Sequence, residues 1–357
     1  SKLENRKSAL GDGWDYNFNK YLMFYKDGKI GYNVGDGSRI YFTKSSGKYT
    51  TTAPTYNQLV VKEDQYEIIT ADKTTYIFNE VGLLTEIADK NNNKTIVEYN
   101  ENDWQNKITD ALDRTISIHY YDDETEHTGN IKEVKLPDNT TLTFEYEQES
   151  NHLTGFHDRE ANVTTYSYNE DGKLEQLIEP EENTLITNRY LEDGKVSEQN
   201  DGENHTVKLD YNSGSTSVVD GRNQEYIYQY DSKKRVTKKT YPETIDWKTN
   251  APVNYYEAFQ YNTKADILKY TDTMGRVHEY TYNSLGYITS YTRPEDQKVY
   301  KYDYEDDYLV SQMIDFEGNK TSMVYDENDN LDKVIQYNSV NGSEKQIITD
   351  YIYTSNG

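Results

Sequence analysis

The sequence contains no cysteine, and its 357 residues include only 6 prolines, 4 methionines and 8 phenylalanines. Without cysteine there is no disulfide framework and no thiolate-ligated metal, while the redox compartment stays open. No apolar run approaches the roughly 20 residues of a membrane-spanning helix, and no signal-peptide pattern precedes the first strand-like segment. Basic charge is scarce: Lys and Arg total 38 against 63 Asp and Glu, a formal charge of −25. Such a chain repels nucleic-acid backbones and anionic lipid, so neither nucleic-acid binding nor membrane insertion is expected. Hydrophobic residues are 34% of the chain, thin for one thick core, because apolar burial drives folding.

What the chain has instead is tyrosine, 37 of them. Tyr, Thr, Val and Ile form strands, and Tyr offers an apolar ring with a polar tip. That suits a thin sheet wet on one side and argues against disorder, which low hydrophobicity and high charge would otherwise suggest.

The tyrosines are periodic. The segment Tyr168-Asn169-Glu170-Asp171-Gly172-Lys173-Leu174 recurs from Tyr230 to Val236, from Tyr282 to Ile288 and from Tyr325 to Leu331. Looser copies start at Phe78, Tyr99, Tyr121, Tyr146, Tyr190, Tyr211, Tyr261 and Tyr304. Successive anchors lie mostly 19 to 25 residues apart, with 31 between Tyr230 and Tyr261, where an inserted loop occupies about residues 241–254. Before each anchor, apolar and polar residues alternate, as in Leu142-Thr143-Phe144-Glu145-Tyr146, which is the period of a strand. Two residues before the anchor stand Val97, Phe144, Tyr166, Leu209, Tyr228, Phe259, Tyr280, Tyr302 and Met323; His119 and Asn188 break the pattern. After the anchor come Asn or Asp and often Gly, residues that turn the chain. An apolar residue six positions on, such as Leu84, Leu174, Val236 or Leu331, opens a return strand. A second turn, such as Asp272-Thr273-Met274-Gly275-Arg276, closes the unit. One hairpin is unstable alone, so neighbouring units must share a sheet. The spacing predicts an all-β chain of tandem hairpins in one long, curved or spiralling antiparallel sheet.

These units resemble the YD/Rhs repeat family, whose pattern is roughly Tyr-Asp-x-x-Gly-Arg-Leu, a short strand and an Asp-x-x-Gly-Asn turn. The resemblance covers residues 71–357, about twelve hairpin units. Residues 1–70 lack the anchor spacing. Their Gly11-x-Gly13-Trp14, Asp36-Gly37-Ser38-Arg39 and Asp72 to Phe78 segments resemble the module that leads into such repeats in wall-associated and polymorphic-toxin proteins. Residues 1–70 are therefore read as an N-terminal capping module over the first strand edge. The start at Ser1 and the end in mid-array suggest an excised piece. The resemblance implies a partial shell that holds or presents a C-terminal toxin of the parent chain. It also implies a secreted protein of the wall or surface of a bacterium, of Gram-positive style.

The search for chemistry finds little. His119, His127, His152, His157, His205 and His278 fit no metal-ligand spacing. The run Asp326-Glu327-Asn328-Asp329-Asn330 has Leu331 where a calcium loop needs Gly. No phosphate loop and no diagnostic carboxylate pair stands out. No catalytic, metal or cofactor residue is assigned, and an enzyme is not expected. The residues singled out are the anchors Tyr99, Tyr121, Tyr146, Tyr168, Tyr190, Tyr211, Tyr230, Tyr261, Tyr282, Tyr304 and Tyr325. A second reading is a glycan-binding or adhesion surface in which Tyr280, Tyr282 and Tyr291 stack on sugar rings.

Overall fold

A computed structural model describes residues 8–121, 127–148, 150–181, 183–203, 205–340 and 343–353. It contains no helix among the described residues. Four short strands, β1 (Tyr21–Phe24), β2 (Ile30–Asn33), β3 (Arg39–Ser45) and β4 (Lys48–Thr50), form a separate sheet in sequence order. From β5 (Gln58–Val61) and β6 (Gln65–Ile69) onward, 27 strands form one long antiparallel sheet that does not close into a barrel. The all-β, tandem-hairpin expectation is met.

Both turns of a unit are built alike. At the anchor turn, the Asn169 N–H donates to the Lys173 carbonyl at 3.0 Å, and the Gly172 N–H to the Asn169 carbonyl at 2.9 Å. The Asn169 Oδ1 accepts from the N–H groups of Asp171 and Lys173 at 3.1 and 2.9 Å. At the return turn, Asp158 repeats this with the N–H groups of Glu160 and Asn162, at 2.8 and 2.9 Å. The fourth residue is left-handed in each, with φ 72° at Gly172 and 63° at Ala161. This is a type I turn followed by a left-handed residue, a geometry that Asx side chains stabilise by bonding their own backbone.

The anchor end carries one further feature. Tyr168 pairs with Leu174 only after a register shift at Ser167/Tyr168. The same bulge recurs at Tyr146, Tyr190, Tyr230, Tyr261, Tyr282, Tyr304 and Tyr325. A bulge leaves one residue out of the ladder, so each anchor sits beside a break in backbone pairing.

The chain divides into two compact units. The first comprises residues up to Ala53, Asn57–Asp210 and Val219–Asn223; the second comprises Pro54–Tyr56, Tyr211–Val218 and the residues from Gln224 on. The core lies in the first. Leu22, Ile30, Tyr32 and Phe42 of the small sheet pack against Leu59, Ile68, Phe78, Leu84, Val97, Ile108, Ile118 and Ile131 of the long one. The Tyr32 and Phe78 rings meet edge to face at 5.8 Å. The leading module thus covers a face of the long sheet, where the sequence suggested that it caps a strand edge. The N–H of Leu22 also donates to the Gly82 carbonyl of the first anchor turn at 2.8 Å.

In the second unit, Leu309 is the buried apolar side chain among the described residues. Most of the unit's aromatic rings stay half-buried. The insertion forms its own small hairpin, Thr244–Ile245 against Pro252–Val253, with Trp247 81% exposed near its tip. The connector Pro54–Tyr56 packs into this unit too. The Tyr56 hydroxyl bonds Asp266, and the Lys264 Nζ donates to the Thr55 carbonyl at 2.7 Å.

Candidate functional site

The repeated anchor tyrosines form a ladder of hydrogen bonds. The Tyr99 hydroxyl donates to the Leu84 carbonyl at 2.8 Å, Tyr146 to Ile131 at 2.9 Å, and Tyr168 to Leu153 at 2.7 Å. Tyr190 reaches Leu174 at 2.5 Å, Tyr282 reaches Ile267 at 2.8 Å, Tyr304 reaches Ile288 at 2.6 Å and Tyr325 reaches Val310 at 2.9 Å. The acceptor is the first residue of the previous unit's return strand, or the second in the case of Val310, beside the bulge. Each phenol therefore supplies a bond at the break in backbone pairing and ties its unit to the one before. Tyr261 does the same to Val236 at 2.7 Å across the insertion, which loops out without disturbing the series. Phe78, at the first anchor place, lacks a hydroxyl and is 0% exposed in the core.

Two readings of the sequence change here. Tyr121, counted as an anchor, lies one residue past the strand end. Tyr120 holds the anchor place: it pairs with Ile131 after a bulge and donates to the Gln105 carbonyl at 2.6 Å. The residue two before it is then the buried Ile118, so the apparent exception at His119 disappears. The exception at Asn188 remains and is polar for a reason. Its Nδ2 donates to the Leu174 carbonyl at 3.1 Å, and its Oδ1 accepts from Gln199 at 2.8 Å. For Tyr230, the backbone N–H donates to the Gly214 carbonyl at 2.9 Å; Tyr211 stands in the strand Thr206–Asn212.

A feature absent from the sequence reading is a strap, residues 9–18, laid along the anchor side of the first unit. The Ala9 carbonyl accepts from the Ile131 N–H at 2.7 Å and from the Tyr146 hydroxyl at 3.2 Å. The Asp12 N–H donates to the Asn151 carbonyl at 2.8 Å. The Trp14 Nε1–H donates to the Tyr168 hydroxyl at 2.8 Å, and its indole sits edge to face on Tyr166 at 4.9 Å. Gln105, 1% exposed, accepts from the Tyr16 hydroxyl at 3.1 Å and donates to the Phe18 carbonyl at 2.6 Å. The Gly-x-Gly-Trp run was the available signal, but its partners lie more than 80 residues away in sequence.

Burial raises the phenol pKa along the ladder: that of Tyr146 goes well above the usual tyrosine range, and those of Tyr168, Tyr282, Tyr304 and Tyr325 are also raised. These five tyrosines therefore serve as hydrogen-bond donors rather than as acids or bases.

Tyr280 and Tyr291 are cross-strand partners stacked on each other at 5.2 Å, and Tyr291 also lies parallel to His278 at 5.9 Å. Tyr282 stands beside them with its hydroxyl committed to Ile267. His278 bridges the Tyr291 hydroxyl at 2.8 Å and Asp272 at 3.5 Å. Burial works to raise the Asp272 carboxyl, yet the backbone and guanidinium of Arg276 hold it down at about 2. His152 stacks on Tyr168, His157 and His205 pair with Glu145 and Asp201, and His127 lies against Tyr146. No group of three His or acidic side chains converges to hold a metal among the described residues. Asp326 spends Oδ1 on the N–H groups of Asn328 and Asn330, as an ordinary turn aspartate does.

The geometry defines a class: a tandem β-hairpin repeat array, with most units pinned to their predecessors by one phenol. Residues 34–188 match the family model described as the teneurin YD-shell. That match covers under half of the chain, and the repeats around Tyr168, Tyr230, Tyr282 and Tyr325 continue the same pattern, so the chain is similar to YD-shell proteins. It is similar in structure to the TcdB2-TccC3-Cdc42 crystal structure, at TM-score 0.48 and 11% identity over 92% of this chain and 21% of that one. It is similar also to the Photorhabdus luminescens Tc holotoxin pore, at TM-score 0.42 and 12% identity over 92% and 17% of the two chains. The chain thus spans about a fifth of the length of these structures. No curated protein matches it in sequence.

Proposed function

We propose that this chain is a wall segment of a secreted, non-enzymatic bacterial YD-repeat protein that encloses or presents a toxin domain lying C-terminal in the same parent chain. The observation that carries this reading is the phenol ladder. It ties most hairpins to the one before with a single bond each, which extends a sheet without a thick core. A wall needs extent and not a pocket, and the wet tyrosine faces of the second unit suit it. On this reading residues 1–70 are the leading module and residues 71–357 the repeat array. The parent acts in contact-dependent delivery or competition at the wall or surface of a Gram-positive bacterium.

The test uses the parent polypeptide. Limited proteolysis should leave the segment after the array intact while the array is folded, and degrade it once urea opens the array. Equal digestion in both conditions sinks the enclosure. A second reading is a glycan-binding or adhesion surface, favoured by the half-exposed Tyr280, Tyr282 and Tyr291. Binding on a glycan array that is lost in Tyr280→Ala would support it, and no binding to any glycan would remove it.

A further inference from the structure

The strap of the first unit shows how this sheet holds an extended polypeptide. An anchor phenol donates its only proton to the previous unit's carbonyl. Its oxygen keeps an acceptor lone pair. At Tyr168 that lone pair is used: the phenol donates to Leu153 and accepts the Trp14 indole N–H, while Tyr166, two residues earlier on the same face, receives the indole edge. His152 stacks on the Tyr168 ring at 4.3 Å. The receiving site is thus a Tyr-x-Tyr strand end, a committed hydroxyl with a lone pair to spare, and a supporting ring.

The second unit repeats the Tyr-x-Tyr element of this site. Tyr302 and Tyr304 stand near the end of the strand Val299–Glu305, two residues apart as Tyr166 and Tyr168 are at the end of theirs. Tyr304 donates to the Ile288 carbonyl at 2.6 Å, in a bond open to solvent. Tyr287 supports the Tyr304 ring at 5.7 Å, and Tyr300 stacks on Tyr302 at 4.9 Å. No donor reaches the Tyr304 hydroxyl among the described residues. The related pair Tyr280 and Tyr282 lies near the connector's Tyr56, whose phenol feels Tyr282, so Tyr302 and Tyr304 are the pair that stands away from the connector.

We propose that the Tyr302–Tyr304 strand end docks an extended polypeptide bearing a tryptophan, with the indole N–H on the Tyr304 hydroxyl and the ring edge on Tyr302. The argument is the intramolecular precedent of Trp14 on a similar Tyr-x-Tyr site, and it rests on the reading of the array as a wall that holds polypeptide. Extended chains dock through main-chain bonds, with pockets for particular side chains giving specificity. Here the indole is the specific group, and aromatic anchors of this kind dominate interface energies.

The probe is a fluorescein-labelled synthetic peptide of residues 8–18, titrated by anisotropy against the whole chain. Saturable binding is expected, weakened about fivefold by Tyr304→Phe, which removes one hydrogen-bonding hydroxyl and keeps the ring. Tyr302→Ala should weaken it further, and Trp14→Phe in the peptide should match Tyr304→Phe. No saturable binding up to about 1 mM overturns the proposal. So does binding that ignores Tyr304→Phe and falls with Tyr168→Phe, because the peptide would then be displacing the chain's own strap. If the parent's C-terminal segment is protected from protease yet the peptide fails to bind, the docking site falls and the wall reading stands. If the peptide binds and the segment is digested, docking stands without enclosure.

Discussion

Replacing one ladder tyrosine by phenylalanine isolates the phenol from the ring. Tyr146→Phe and Tyr304→Phe make an informative pair. The Tyr146 side chain is 9% exposed, and its hydroxyl lies 2.9 Å from the Ile131 carbonyl and 3.2 Å from the Ala9 carbonyl. With the hydroxyl gone, water cannot easily reach the carbonyl it served. The expected cost is about 1.5 kcal/mol: a net hydrogen bond of about 1 kcal/mol plus part of the penalty for a dry acceptor. The Tyr304 bond to Ile288 is open to solvent, so water replaces the phenol there and the cost should be about 0.5 kcal/mol. With an m-value of about 3 kcal/mol/M in urea, the first change moves its transition by about 0.5 M and the second by less than half as much. The two compact units call for each transition to be fitted separately, with circular dichroism beside tyrosine and tryptophan fluorescence. Equal costs at the two sites, or no measurable cost at Tyr146, would refute the account of the ladder as a set of bonds at pairing breaks.

Ala161 adopts the left-handed conformation in its turn, with φ 63°, so Ala161→Gly should stabilise the protein by about 0.5 kcal/mol, since relief of strain outweighs the added chain entropy; a lower melting temperature would contradict this. At Gly286 the φ is 88° and an added Cβ would stand 2.3 Å from the Tyr56 ring, so Gly286→Ala should cost about 2 to 3 kcal/mol and move the melting of the second unit. At high pH, the folded chain keeps phenolic protons that the unfolded chain releases near pH 10, because burial raises Tyr146, Tyr168, Tyr282 and Tyr304. Stability should be flat below about pH 10 and fall as pH climbs above it; phenolate absorbance that rises before the circular dichroism changes would show the ladder is not protected. In acid the sign reverses. The turn carboxyls of Asp158, Asp231, Asp315 and Asp326 are lowered by bonds from their own turns, so stability present above about pH 4 should drain away as pH falls toward Asp272's value of about 2. Replacing Asp158 by Asn should blunt that acid slope in urea titrations.

Sequence alone determined the secondary structure and the repeat. Alternation before Tyr168 or Tyr230, Asx-Gly turns after them, and a regular interval are local signals, and local bonding within each hairpin obeys them. It determined the sheet as well, since hairpins this short persist only by pairing with their neighbours. Tertiary structure decided what the phenols do. The bond from Tyr168 to Leu153 crosses from one unit to the one before, and Tyr120 takes the place that spacing gave to Tyr121 because a bulge, invisible in the letters, shifts the register there. The strap was beyond reach of the sequence for the same reason: Trp14 finds Tyr166 and Tyr168 across some 150 residues, and no periodicity encodes a contact between a nonrepeating segment and a repeat. Burial followed suit. The two units share one sequence pattern, yet the first has its face covered by β1, β2 and β3 while the second leaves Tyr302 and Tyr304 half-open, since which repeat acquires a cover depends on where the leading module packs.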